Sequence, residues 1–448
     1  MTSRREFVAL AAAGLPLSLR ADLLTAFRRS PRPWLDLAVR CARWIERSAQ
    51  PAEGGTRWPG DPLKPDLVGL DFYNGIPGIV SFYAALFDAT RDPVWQTAAR
   101  GGAGYLIHEM DSDKSELDAG LYTGLAGLGY TFMCLDQARV GHEYGAAAER
   151  AAALIGARAR TVGDGAEWSD SNDMISGTAG TGLFLLHAGR AWKRKDLVAL
   201  AAKAGRRLMA TGEPAEGGRM WYPSATLHRN YPNFSHGTSG VSYFLATLHQ
   251  RTRDPVFLGT ALEGARYLDA VADRSNGATR IFHSTDGGEN RYYLSWCHGP
   301  VGTSRLFYRL HRITGEQRWL GWVDSLTRAV FESGVPEQRT SGYWNNISQC
   351  CGNVGIGQFC IDLARYHPAP MVTAFRDRVT KDTTARATDD ADGMRWVQAE
   401  NRIEPDNLVA QTGFMQGAAG VGTFFLQLDA LERGTPWKFP QPDTPFTG

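Results

Sequence analysis

Residues 291–302 read RYYLSWCHGPVG and residues 341–357 read SGYWNNISQCCGNVGIG, and each segment runs into a helical stretch through the same short pattern, G-x-x-G. The pattern recurs along the whole chain. It begins at Gly75 (NGIPGIV), Gly124 (TGLAGLG), Gly177 (SGTAGTG), Gly237 (HGTSGVS), Gly299 (HGPVGTS), Gly352 (CGNVGIG) and Gly417 (QGAAGVG), at spacings of 49, 53, 60, 62, 53 and 65 residues. Self-similarity at such periods marks a repeat architecture.

Each copy opens a run that is apolar almost all round, at 78–89, 127–138, 180–192, 240–251, 302–313, 355–366 and 420–431. Helices of that composition are buried. Between them lie amphipathic, Ala- and Arg-rich runs at 34–48, 94–110, 144–160, 197–210, 257–272, 319–333 and 371–388, suited to an outer ring. The joints repeat as well. In TRDPVW (90–95) and TRDPVF (252–257) the Asp caps and the Pro opens the following helix. The unit is outer helix, long loop, G-x-x-G, inner helix, short turn. Seven units predict an all-α fold, an α/α barrel (toroid) of seven outer and seven inner helices, with residues 31–448 forming one domain. In this reading the motif glycines let the backbone enter crowded inner helices, with positive φ where needed. The seven helix N-termini share one mouth, where their partial positive charge favours thiolates.

The chain has 448 residues, 50 glycines and a formal net charge of +1. That balance argues against a broad nucleic-acid or anionic-lipid surface. Past residue 30 no stretch reads as membrane-spanning. Residues 1–30 form a separate N-terminal segment in which Ser3, Arg4, Arg5 and Phe7 precede a weakly apolar run. This matches a twin-arginine export signal and predicts an extracytoplasmic protein; otherwise the chain is cytoplasmic.

Six cysteines in so long a chain make no disulfide framework. Cys41, Cys134 and Cys360 fall in apolar helical patterns and read as core thiols. In the repeat frame, the residues just before the first glycine are Asn74, Thr123, Ser176, His236, His298, Cys351 and Gln416. One position earlier stand Tyr73, Tyr122, Ile175, Ser235, Cys297, Cys350 and Met415. Soft ligands and imidazoles therefore gather on one side of the ring. Zinc binds thiolates tetrahedrally, and a catalytic zinc keeps one position for water or substrate. Cys297, Cys350 and Cys351 offer three ligands from two adjacent turns. The competing readings are a strained Cys350–Cys351 disulfide, which leaves Cys297 unexplained, and His298 as a rival ligand.

The sevenfold G-x-x-G pattern, SWCHGPVG and the adjacent cysteines of CCGNVG together resemble the lanthionine synthetase C-like family, from about Trp34 to the C-terminus. The resemblance implies an α/α toroid holding one zinc ion per chain through Cys297, Cys350 and Cys351, with Cys351 standing where His is usual. It implies addition of a cysteine thiol to dehydroalanine or dehydrobutyrine residues of a peptide, forming a thioether. His236 matches the family's acid/base histidine, and Asp173 matches a family aspartate that orients a histidine or takes the thiol proton; as a helix-capping carboxylate it has an equally good structural use. The family arginine's position holds Tyr293, and Arg291 is the nearest arginine. His298 follows the zinc cysteine where some members have tyrosine, and offers a second proton donor.

Such an enzyme needs a dehydrated peptide made elsewhere, by a separate dehydratase. Two alternatives stand beside it: addition of a small thiol such as glutathione to electrophilic substrates, and a non-catalytic zinc-binding interaction protein. A carbohydrate-cleaving reading has only Asp71 and Asp173, each four residues before its glycine, as carboxylates at matching offsets, and leaves the cysteines idle.

Overall fold

The computed structural model describes residues 31–112, 116–286, 291–338, 343–366, 368–400, 402 and 404–445. The expected export signal in residues 1–30 lies outside them. Among the described residues fourteen α-helices alternate between two rings. The outer ring comprises α1 (Pro33–Glu46), α3 (Pro93–Asp111), α5 (Tyr144–Ala157), α7 (Lys195–Thr211), α9 (Pro255–Ala270), α11 (Gln317–Phe331) and α13 (Pro370–Ala385). The inner ring comprises α2 (Ile76–Thr90), α4 (Leu125–Ala138), α6 (Thr178–Ala191), α8 (Thr238–Thr252), α10 (Pro300–Thr314), α12 (Asn353–Tyr366) and α14 (Ala418–Glu432).

Burial follows the patterning. On α7 the buried residues Leu197, Ala201, Ala204, Gly205 and Leu208 form one stripe, whereas α14 is buried without a break from Ala418 to Ala430. Each inner helix packs on the next, and α14 packs on both α2 and α1, so the ring closes on itself. The closure is tied by Arg32, whose Nε donates to Asp429 Oδ1 at 3.0 Å. Asp92 and Asp254 cap α3 and α9 through the amides of Val94 and Val256, as the TRDP joints predict. No helix among the described residues is long and apolar enough to cross a membrane.

At the mouth, equivalent residues of successive repeats join in a ring of backbone hydrogen bonds. The amide of Tyr73 donates to the carbonyl of Tyr122, Tyr122 to Ile175, Ser235 to Cys297, Cys297 to Cys350, Cys350 to Met415, and Met415 back to Tyr73. Between the third and fourth repeats the donor is Met174, which reaches Ser235.

The motif glycines meet the crowding expected of them but not the positive φ. Gly75, Gly177 and Gly299 have φ of −95°, −98° and −112°, within reach of any residue. What they provide is space. A Cβ on Gly237 would lie 1.7 Å from the carbonyl oxygen of Tyr231, and one on Gly302 1.9 Å from that of Trp296. In six of the seven repeats, all but the fifth, the preceding loop folds back so that its carbonyls accept first-turn amides, as Ser171, Asn172 and Asp173 do for Thr178, Ala179 and Gly180. Those amides, which an isolated helix leaves free, are thus already engaged and are not aimed into the mouth as anion ligands.

Four of the long loops open with short antiparallel hairpins, pairing 50–52 with 55–57, 160–162 with 165–167, 213–215 with 218–220 and 388–390 with 393–395. The tail after α14 crosses the barrel end opposite the mouth and fills its lumen. Its Asp443 is fully buried, accepting from Trp296 Nε1 at 2.6 Å and from Arg305 Nη1 at 3.1 Å. Gln441 takes the other Arg305 nitrogen at 2.7 Å.

Candidate metal centre and active site

The backbone ring sets Cys297 beside Cys350, and the turn into α12 adds Cys351. All six cysteines are free, so the Cys350–Cys351 disulfide is not formed. Cys351 Sγ lies 3.2 Å from Cys297 Sγ and 3.3 Å from Cys350 Sγ, and the three sulfurs lie within 4.8 Å of one another. They are the one such ligand group among the described residues, and all three are buried. Cys41, Cys134 and Cys360 sit apart in the core, where burial pushes the Cys134 and Cys360 thiols up to about 12.

The trio shares charge unequally. Burial opposes ionisation of Cys350, but hydrogen bonds from Cys297, Cys351 and Tyr73, with the charge of His236, hold its thiol well below the usual range. Cys297 and Cys351 move the other way, by burial and by the neighbouring thiolate. Contact with two sulfurs and a phenol thus favours charge on Cys350 first. A set of three sulfurs that gives up its remaining protons to a cation is the donor chemistry of a soft divalent metal site.

His236, at the start of the turn into α8, places Nδ1 2.6 Å from Asp173 Oδ2. Asp173 comes from the turn into α6, and its Oδ1 accepts from the amides of Ile175, Ser176 and Gly177 at 3.0, 2.9 and 2.9 Å. One Asp173 oxygen thus faces the imidazole and the other holds the turn. Burial lowers the affinity of His236 for a proton, but Asp173 outweighs it and raises the imidazole above its ordinary value.

His298 is buried next to Cys297, and its Nδ1 has no hydrogen-bond partner among the described residues. Its ring lies 5.7 Å from that of His236 and 4.2 Å from that of His283. Burial first, then the charges of His283, His236 and Arg229, depress its basicity strongly. Arg291 is exposed on the rim; its charge acts on Tyr293, and its carbonyl accepts from the His283 amide. It does not join the buried cluster.

His283 and Tyr231 were not singled out by sequence. Tyr231 makes ring contacts with His236, His283 and His298, and His283 stacks on Tyr293 at 4.8 Å. His283 comes from an irregular loop outside the repeat frame, whereas Tyr231 stands six residues before Gly237, at the offset held by Ser171 and Asn346 in their repeats. Tyr73 and Gln416 do belong to that frame. The Tyr73 hydroxyl donates to Cys350 Sγ at 2.9 Å and accepts from Gln416 Nε2 at 2.9 Å. Their offsets, shared with the cysteines and histidines, are the signal that would have found them.

With this geometry in view, the comparisons with known proteins are specific. No curated protein sequence matches the chain. Among solved structures, nisin cyclase superposes with a TM-score of 0.62 at 14% identity, over 91% of this chain and 96% of its own. The Lin0763 protein from Listeria innocua superposes with a TM-score of 0.51 at 10% identity, over 89% and 97%. At those identities the likeness establishes the fold. The model of the family described as "Lanthionine synthetase C-like protein" matches residues 66–441, from the first repeat through the last and on into the buried tail. The chain belongs to the lanthionine synthetase C-like protein family.

Proposed function

We propose that this protein is a thioether-forming enzyme that adds a cysteine thiol to a dehydroalanine or dehydrobutyrine residue of a peptide. The observation that carries the reading is the meeting, in one mouth, of three buried sulfurs with the His236–Asp173 pair. The trio suits one zinc ion through Cys297, Cys350 and Cys351; when bound, zinc supplies Lewis acidity that keeps a substrate thiol ionised and nucleophilic at neutral pH.

The chain's own residues handle the proton. Asp173 fixes Nδ1 of His236, which leaves Nε2 to face substrate and, with the basicity of the ring raised, to hold a proton there. As the thiolate sulfur bonds to the β-carbon, the alkene electron pair shifts to the α-carbon. That carbon takes the proton from His236 Nε2, and the proton released by the substrate thiol restores it. Atoms balance: one thiol and one alkene give one thioether. His298 and Tyr231 set their rings beside that of His236.

The test is direct. The purified protein is assayed for metal and then incubated with a peptide carrying one cysteine and one dehydroalanine. One zinc per chain and loss of maleimide-reactive thiol are expected. A glutathione adduct in place of peptide closure would assign a small-thiol substrate. Neither product from a zinc-loaded protein would overturn the catalytic reading in favour of a metal-binding interaction protein.

A further inference from the structure

The cysteine site draws on repeats that contribute no sulfur to it. The hydroxyl of Tyr73, from the first repeat, reaches Cys350 of the sixth, and Gln416 of the seventh donates to that hydroxyl. We propose that Tyr73, held by Gln416, is a positioning residue that donates one hydrogen bond to the Cys350 thiolate and thereby sets how much charge that sulfur can give to a bound metal.

The direction of the bond follows from counting protons. A thiolate has none, so when Cys350 is ionised the 2.9 Å contact with Tyr73 must use the phenol proton. The phenol oxygen is then left with acceptor lone pairs only, and the group facing it at 2.9 Å is Gln416, which must present its amide N–H. Gln416 is itself fixed, because its backbone carbonyl accepts from Gln398 Nε2 at 3.0 Å and Gln398 Oε1 accepts from the Ile347 amide at 2.8 Å. The arm therefore has one orientation compatible with an ionised Cys350, and it is set by three side chains from two repeats.

The need for it lies in the ligand set. Three thiolates around a divalent cation leave the centre anionic, and a substrate thiolate makes it more so. The first-turn amides of α12, beside Cys350 and Cys351, are already engaged by the carbonyls of Asn346, Ile347 and Ser348 and do not relieve that charge. A hydrogen bond to a ligand sulfur does, by withdrawing electron density from it. The proposal rests on the metal-binding reading above, and the experiment separates the two.

Wild type, Tyr73→Phe, Gln416→Ala and the double variant are compared as full chains whose helical content is checked first. Zinc affinity is measured by chelator competition, and the sulfur-to-metal charge-transfer band is recorded with cobalt. Tyr73→Phe should still take up one metal, but about ten- to a hundredfold more weakly. Its cobalt band should move to lower energy, because a sulfur without a donor holds its electrons less tightly. Cys350 in the zinc-loaded variant should be alkylated faster by iodoacetamide. Gln416→Ala should shift the same three readouts less, and should shift none of them further in the Tyr73→Phe background, since it acts through the phenol. Unchanged affinity, band and alkylation in Tyr73→Phe would overturn the proposal while leaving the metal centre standing. Additive effects in the double variant would remove Gln416 from the arm. If Tyr73→Phe fails to fold, the cobalt band of Gln416→Ala alone decides, an unshifted band counting against the arm. No metal uptake by wild type would overturn the metal-binding reading itself.

Discussion

His236 Nδ1 lies 2.6 Å from Asp173 Oδ2, while Asp173 Oδ1 is held by three backbone amides of the turn into α6. One carboxylate thus anchors a loop of the third repeat and orients a histidine of the fourth. Separate substitutions divide the two tasks. His236→Ala should keep its metal and lose about 10²- to 10⁴-fold in rate, the usual weight of a positioned acid. Asp173→Asn keeps an oxygen for the amides, so the rate should fall with little change in melting temperature. Asp173→Ala loses both tasks and should also cost about 1–2 kcal/mol of stability. Equal rates in wild type and His236→Ala would remove the histidine from the chemistry.

The same pair gives a pH signature. The folded protein holds His236 above the ordinary imidazole value. Its ion pair therefore contributes fully below that ordinary value, and the contribution is lost as pH rises through the raised folded value. The melting-temperature advantage of wild type over His236→Ala should shrink across that window. The rate should decline over the same range as Nε2 loses its proton. A flat difference between the two proteins would contradict the assignment.

Cys297→Ala and Cys351→Ala should each abolish stoichiometric metal binding and activity while leaving the helical circular-dichroism signal intact, because the two rings bury their own core. Unfolding of the wild type on chelation would make the metal structural instead.

Beneath the site, Arg305 and Asp443 form a pair that is 7% and 0% exposed. Asp443→Ala strands the buried guanidinium and the indole N–H of Trp296, the residue before Cys297. A loss of about 3–5 kcal/mol is expected from denaturant titration. Metal affinity should fall with it, since Trp296 positions the cysteine turn. Unchanged affinity would confine the tail to a packing role.

For location, we propose that Arg4 and Arg5 direct export. Changing both to Lys should retain the protein in the cytoplasm, as read by fractionation, and unchanged fractionation would retire the signal.

The ring, its two layers and the cysteine trio were legible because they repeat. Cys297 and Cys350 share one offset, and the backbone ring puts that offset at neighbouring places. The hairpins were missed although a local signal existed: glycines at positive φ in their turns, such as Gly54, Gly163 and Gly217, with Trp58, Trp168 and Trp221 soon after. The crowding expected of the motif glycines is there, with a carbonyl 1.7 Å from where a Gly237 Cβ would stand, but the positive φ expected beside it is not. His283 and Tyr231 escaped for another reason. The His283 position has no counterpart in the repeat frame, Tyr231 has counterparts of unlike chemistry such as Gly69 and Ser171, and only the folded chain brings the two to His298.

The closed hydrogen-bond ring also has a bearing on how the protein is made. A ribosome delivers the repeats one after another, and the circle stays open until Met415 has emerged to bond both Cys350 and Tyr73. The first repeat must wait for the last. All three cysteines are translated well before that moment, so a nascent or prematurely terminated chain carries the sulfurs without the enclosure that holds them together. Arrival of the seventh repeat is then the event that closes the ring around the sulfurs.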